Sequence, residues 1–276
     1  MDELYVLARR VLLDALDALG PHRDSMILVG AQAIYLRVGE GDLVLAPYTT
    51  DGDLAIDPTI LAEQPPLEKA LGDAGFALKS KESVGVWITQ RRTASNSNVA
   101  VGVDLLVPAA VSPGKGRRAA RLPGHQERAA RIAEGLEGAL VDQDLMTLAS
   151  LEPGADDRTH RIRVAGPAAM LLAKVFKIKD RQDGNRLTDK DALDVFRLLR
   201  GISTEELSTR YQRLRQEVGT KNVANEGLGL FRDLFGSPRG KGIEMLLRAL
   251  GSPTSHQEMT GSCATLAKDL FDSLGG

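Results

Sequence analysis

The feature that most limits how this chain can fold is a change of hydrophobic period near Pro167. Ahead of it, short apolar runs rich in β-branched residues are separated by glycine and proline. Beyond it, five or six amphipathic patterns of helical period follow one another. They break at Gly184, Gly201, Gly219, Gly236-Ser237-Pro238 and Gly251-Ser252-Pro253. The pattern predicts an α/β (α+β) domain with a mixed sheet over residues 1–165, then an all-helical domain over 166–276. A chain of 276 residues is long enough to bury both cores.

Within the first part, Leu4, Leu7, Val11, Leu12, Leu16 and Leu19 recur at helical spacing until Gly20-Pro21. Met26–Val29 reads as a buried strand, Gly30 breaks it, and Ala31–Val38 reads as a helix followed by a Gly39–Tyr48 loop. The next strand, Thr50–Ile56, alternates: Asp51, Asp53, Ala55 and Asp57 share one face, Leu54 and Ile56 the other. Pro65–Ala74 suits a helix, and Phe76–Leu78, Val84–Thr89 and Val99–Val107 suit strands. Ser112–Arg131 reads as a basic loop running into a helix. Ala139–Leu151 and Arg161–Val164 are weaker strand candidates.

Composition removes several classes of function. The formal net charge of −2 gives no global attraction to nucleic acid or membrane, so any polyanion site is a local patch. Aromatic residues make up 4% of the chain, too few for base stacking to be the main binding device. Cys263 is the single cysteine, which excludes an internal disulfide and a cysteine-built zinc site, and it reads as a small packing group. His22, His125, His160 and His256 lack metal-ligand spacing. Gly240-Lys241-Gly242 is not a Walker motif, no Gly-x-Ser-x-Gly elbow occurs, and Trp87 reads as core. With neither a signal-like start nor a run of about 20 apolar residues, the expected location is cytoplasmic.

The candidate chemistry begins with Asp51 and Asp53. Two residues apart on one strand, their carboxylates project from the same face. Like charges so close call for a cation between them, and a hard divalent ion such as magnesium suits carboxylates together with substrate phosphates. Asp104 is the candidate third carboxylate. Val99, Val101, Val103, Leu105 and Val107 make one apolar face, and Asp104 shares the other with Ala100 and Gly102. The plainer alternative is three solvent-facing aspartates at strand ends. Ahead of the pair, Leu28-Val29-Gly30-Ala31 ends a strand and opens a helix. The backbone N–H groups of a helix N-terminus form a site for a triphosphate.

Further on, Met170, Lys174, Lys177 and Arg181 fall on one face of an otherwise apolar helix, and Asp191 and Asp194 share a face of the next. With Thr49-Thr50-Asp51-Gly52-Asp53, these residues resemble the nucleotidyltransferase superfamily that includes DNA polymerase beta. More narrowly, they resemble the AbiEii/MenT group of nucleotidyltransferase toxins from type IV-like toxin–antitoxin systems. The resemblance covers about residues 26–196. It departs at Gly30-Ala31, where the family has Gly-Gly or Gly-Ser, and at Pro47, where the family has an arginine.

The resemblance implies a magnesium-dependent enzyme, with two ions, that moves a nucleoside monophosphate from an NTP to an acceptor hydroxyl. It makes a tRNA 3′ end the acceptor and a cognate antitoxin the protein partner. Asp51, Asp53 and Asp104 would hold metal; Gly30, Ala31, Thr49 and Thr50 would cradle the triphosphate, with Arg37 as a substitute phosphate contact. Lys174 would offset phosphate charge, with Asp191 or Asp194 holding it or touching the nucleotide. Two other readings stay open: a small-molecule nucleotidyltransferase of the aminoglycoside-modifying kind, and a catalytically silent binding module. The basic run Lys115, Arg117, Arg118, Arg121, His125, Arg128 and Arg131 is either an RNA contact or a solvated face.

Overall fold

A computed structural model describes residues 2–39, 49–112, 118–183, 189–250 and 256–275. Most of the expected Gly39–Tyr48 loop, Pro47, Lys115, Arg117, and the breaks at Gly184 and Gly251-Ser252-Pro253 lie outside the described residues. The chain divides into two compact units. The first is Met1–Ala33, Pro47–Ala133 and Gln143–Val164; the second is Ile34–Ala46, Glu134–Asp142 and Ala165–Gly276. The helical unit thus takes in two segments that precede residue 165.

The first unit opens with helix α1, Glu3–Ala18, whose N-cap Asp2 accepts a hydrogen bond from the Tyr5 amide at 3.1 Å. Its buried stripe is centred on Tyr5, Ala8, Leu12 and Leu16, so Leu4 turns outward. A short 3-10 turn, Gly20–Ser25, leads into β1, Met26–Val29, which is buried throughout. Helix α2, Gly30–Val38, follows directly. Then come β2 (Asp51–Ile56), α3 (Leu67–Asp73), β3 (Ala77–Leu78), β4 (Val86–Arg92), β5 (Asn98–Pro108), β6 (Arg131–Ala133), β7 (Gln143–Ala149) and β8 (Thr159–Ala165).

These strands form one mixed sheet in the order β3-β4-β5-β2-β1-β8-β7, with β6 added alongside β5. β2 is antiparallel to β1 and parallel to β5, with Asp51 opposite Gly102 and Asp53 opposite Asp104. α1 covers one face of β2 and β5. Gly52 faces it so closely that a β-carbon there would stand 3.0 Å from Leu12 Cδ1. Because successive residues of a strand face opposite ways, Asp51 and Asp53 project from the face away from α1.

Two expectations change. Ser112–Arg131 forms no helix among its described residues. Pro123-Gly124 interrupts it, and the chain is held by short β contacts: Ala119 bridges Arg131, and the Ala120 amide donates to the Ala130 carbonyl at 3.0 Å. Trp87, buried as expected, donates from Nε1 to the Ala129 carbonyl at 2.9 Å, so burial of this segment overrides its helical composition. Ala139–Leu151 divides into a 3-10 turn at Glu137–Leu140 and the strand β7. The division falls at Asp142, which is 1% exposed and accepts from the Ala169 amide at 3.0 Å near the start of the next helix.

The second unit contains six helices among the described residues: α4 (Pro167–Asp183), α5 (Lys190–Gly201), α6 (Thr204–Gln216), α7 (Lys221–Phe235), α8 (Lys241–Leu250) and α9 (His256–Ser273). α4 packs against α5, α6 and α7. Gly227 of α7 lies so close to α4 that a β-carbon would fall 2.1 Å from Leu172 Cδ1. Ser203 caps α6 by accepting from the Glu206 amide. Cys263 is buried, and burial pushes its thiol up to about 12, which fits a packing role. No helix among the described residues is long and apolar enough to cross a membrane.

Candidate active site

The site is built on β2, β5 and the β1–α2 turn. Parallel pairing of β2 with β5 sets Asp53 directly beside Asp104, and residues paired in this way share a face of the sheet. Asp51 lies two residues earlier on that face, opposite Gly102, whose missing side chain leaves space next to it. The three aspartates singled out in the sequence therefore form one patch. Asp53 is 7% exposed, and Asp51 is half-buried.

Gly30 lies under Asp53. Its φ is +73°, and a β-carbon built there would fall 2.0 Å from Asp53 Oδ2. Glycine serves this position twice, by accepting the left-handed backbone and by making room for the carboxylate. Helix α2 begins at this residue, so Gly30 and Ala31 belong to the first turn, whose amides lack acceptors within the helix. At the other edge of the patch, the Thr49 hydroxyl donates to Asp51 Oδ1, while Thr50 is exposed.

Arg131 changes the electrostatics. Its Nη2 donates to Asp104 Oδ2 at 2.6 Å, so a guanidinium offsets the charge of that carboxylate. Among the described residues, no three His, Cys, Asp or Glu side chains are drawn together closely enough to hold a metal ion as they stand. The donor chemistry nevertheless suits a hard divalent cation. It comprises carboxylate oxygens on adjacent strands and a hydroxyl beside them.

The arginines of the basic run that are described are largely engaged within the fold. Arg128 donates to the carbonyls of Ser83 and Ser80, Arg121 pairs with Glu127 at 3.7 Å, and Arg131 is committed to Asp104. His125 is likewise structural, bonded to the main chain of Leu67 and Ala62.

The second unit holds the Lys174 cluster. The Lys174 ammonium donates to Asp191 Oδ1 at 2.9 Å and Asp194 Oδ2 at 2.6 Å, and the residue is 4% exposed. Burial opposes its charge, but Asp194 and Asp191 outweigh that penalty and hold its pKa above the ordinary lysine range. Burial likewise opposes the charge of Asp191, and Lys174, Lys177 and Arg181 hold its carboxyl far below the usual range. Arg197 donates to Asp194 Oδ1 at 2.8 Å and stacks over Tyr35, whose hydroxyl burial and Asp194 push up to about 12. Arg37 donates from Nε to the Ala165 carbonyl at 2.5 Å. Within this unit, then, the hydrogen bonds of the Lys174 ammonium go to both aspartates.

Sequence reading missed two residues near the aspartate patch. Gln32 is 1% exposed and Arg9 is 4% exposed. Arg9 could have been noticed as a charged residue four positions after Tyr5 on the apolar stripe of α1. Gln32 stands out as a polar side chain in an otherwise apolar first turn.

No family model matches the chain, and no curated protein is significantly similar to it. Among solved structures, it is similar to the crystal structure of an antigenic nucleotidyltransferase-like protein from Paracoccidioides brasiliensis. The two are 17% identical with a TM-score of 0.41, over 82% of this chain and 93% of that one. A likeness at this level carries no functional argument, so the function rests on the residues of the site.

Proposed function

We propose that this protein is a magnesium-dependent nucleotidyltransferase that moves a nucleoside monophosphate from an NTP to an acceptor hydroxyl. The observation that carries the reading is the set Asp51, Asp53 and Asp104, in register on one face of adjacent parallel strands, with Asp53 covering the first residue of α2. Asp51 and Asp53 would hold the metal, with Asp104 reaching it from β5. When bound, magnesium would offset triphosphate charge and lower the cost of the charge that develops during transfer.

The first turn of α2 would orient the triphosphate, with Gly30 and Ala31 presenting main-chain amides and Thr49 and Thr50 adding hydroxyls at the opposite edge. The acceptor oxygen forms a bond to the α-phosphorus. The bond from that phosphorus to the bridging oxygen of the β-phosphate breaks, and pyrophosphate leaves with the electron pair. Asp104 would receive the acceptor proton. Lys174, Asp191 and Asp194 would act indirectly, by holding α4 and α5 together.

The sequence resemblance supports a tRNA 3′ end as acceptor, with the protein acting as a toxin held in check by a partner antitoxin. Incubation with each α-labelled NTP, magnesium and total tRNA tests this reading, with Asp53→Asn as the control. Label on tRNA that disappears in the variant is the expected result. Label on a small acceptor instead would favour the aminoglycoside-modifying kind of activity. The Arg131–Asp104 pair favours a second reading, a catalytically silent module, which no transfer to any acceptor and no binding of divalent metal would support.

A further inference from the structure

Directly behind the aspartate patch runs a chain of hydrogen bonds through two buried side chains that the reaction does not use. Gln32 donates from Nε2 to the Asp51 carbonyl at 2.9 Å, and its Oε1 accepts from Arg9 Nε at 2.8 Å. Arg9 is anchored in turn: Nη1 donates to the Ala149 carbonyl at 2.8 Å and Nη2 to the Tyr5 hydroxyl at 3.0 Å. The chain thus links α1, the end of β7, the first turn of α2 and the start of β2.

Its position explains why it exists. β1 ends at Val29, opposite Asp53, and the chain then turns into α2. Asp51 lies two residues beyond that last pair, so the antiparallel neighbour on that side is gone where the first metal-binding carboxylate stands. The Gln32 side chain supplies an amide donor there.

The bridge needs a side chain that both accepts and donates, which the Gln32 carboxamide does. A guanidinium only donates and a carbonyl only accepts, so a side chain bridging the two must accept at one end and donate at the other. Glutamate accepts but cannot donate when ionised, and methionine does neither usefully.

We propose that Gln32, held by Arg9, is a positioning residue that fixes the Asp51 main chain and so sets the Asp51–Asp53 pair for metal. This inference rests on the nucleotidyltransferase reading. Its test is Mn2+ titration of the full chain by calorimetry at 15 °C, with NTP transfer measured in parallel. Gln32→Met should weaken Mn2+ binding about tenfold, the order expected for the loss of one net hydrogen bond, and lower kcat/KM to match. Leu16→Val, which trims the buried face of α1, should lower Tm while leaving Mn2+ affinity as in the wild type.

If Gln32→Met does not fold, Gln32→Glu serves: it keeps Arg9 as a partner, sets a carboxylate oxygen against the Asp51 carbonyl in place of the donor, and should still weaken Mn2+ binding although its added negative charge acts the other way. Wild-type Mn2+ affinity in a folded Gln32 variant, alongside loss in Asp53→Asn, overturns the positioning role and leaves the enzyme reading standing. Absence of Mn2+ binding in the wild type overturns both.

Discussion

The carboxylate of Asp53 takes the space that a side chain on Gly30 would need, with Oδ2 2.0 Å from the position of the missing β-carbon. A strand carboxylate and the start of a helix are thereby locked into one geometry. Gly30→Ala should cost about 1–2 kcal/mol from its left-handed backbone alone, with displacement of Asp53 adding to it. Urea denaturation measures the stability loss. Nucleotidyl transfer should fall toward that of Asp53→Asn, and retained wild-type transfer would sink the proposed link between turn and carboxylate.

Asp53→Asn keeps the shape of the side chain and removes the carboxylate charge beside Gly30. Transfer should fall at least about 100-fold if Asp53 binds the catalytic metal. Single-turnover assays over a magnesium titration would show whether the loss is in metal binding or in the step itself.

Arg131 competes with any cation for Asp104. Arg131→Met should therefore raise Mn2+ affinity several-fold while lowering stability by about 1 kcal/mol, because the pair is only partly exposed. Calorimetric titration beside a denaturation curve separates the two effects. Weaker Mn2+ binding in this variant would mean that Arg131 positions Asp104 for metal.

Lys174 stands between two carboxylates in the interior of the helical unit. Lys174→Met leaves both near an uncharged side chain and should destabilise by about 3–5 kcal/mol. Adding Asp194→Asn should recover part of that loss, although Arg197 then loses its charged partner. A double-mutant cycle read by urea midpoints gives the coupling, and strict additivity would show that the pair is not a unit.

His125 accepts from the Leu67 amide at Nδ1, 3.0 Å, which a protonated ring cannot do. Burial, with a smaller contribution from His22, lowers its pKa below the ordinary value, against opposing effects from the Ala62 carbonyl, Glu68 and Glu63. The folded state therefore takes up this proton later than the unfolded state. Its contribution to stability is intact above about pH 6.5 and is lost as pH falls from there toward the lowered folded value. Denaturation midpoints should drop over that window, and His125→Asn should flatten the slope.

That Asp51 and Asp53 share a face, that Gly30 ends one element and begins another, and that helices follow Pro167 can all be read along the chain. Each of these is a local property, set by the two-residue period of a strand, the 3.6-residue period of a helix and the unique backbone freedom of glycine. It takes the folded chain to set Asp104 beside Asp53, because the pairing of β2 with β5 joins residues some fifty positions apart. The fold alone placed Arg131 against Asp104, committed the Lys174 ammonium to Asp191 and Asp194, and ran Gln32 and Arg9 beneath Asp51. It also turned the expected helix before Arg131 into a segment pinned by Trp87 and β contacts. Such partners are selected by burial and by the requirement that buried polar groups be satisfied, and neither leaves a periodic trace along the chain.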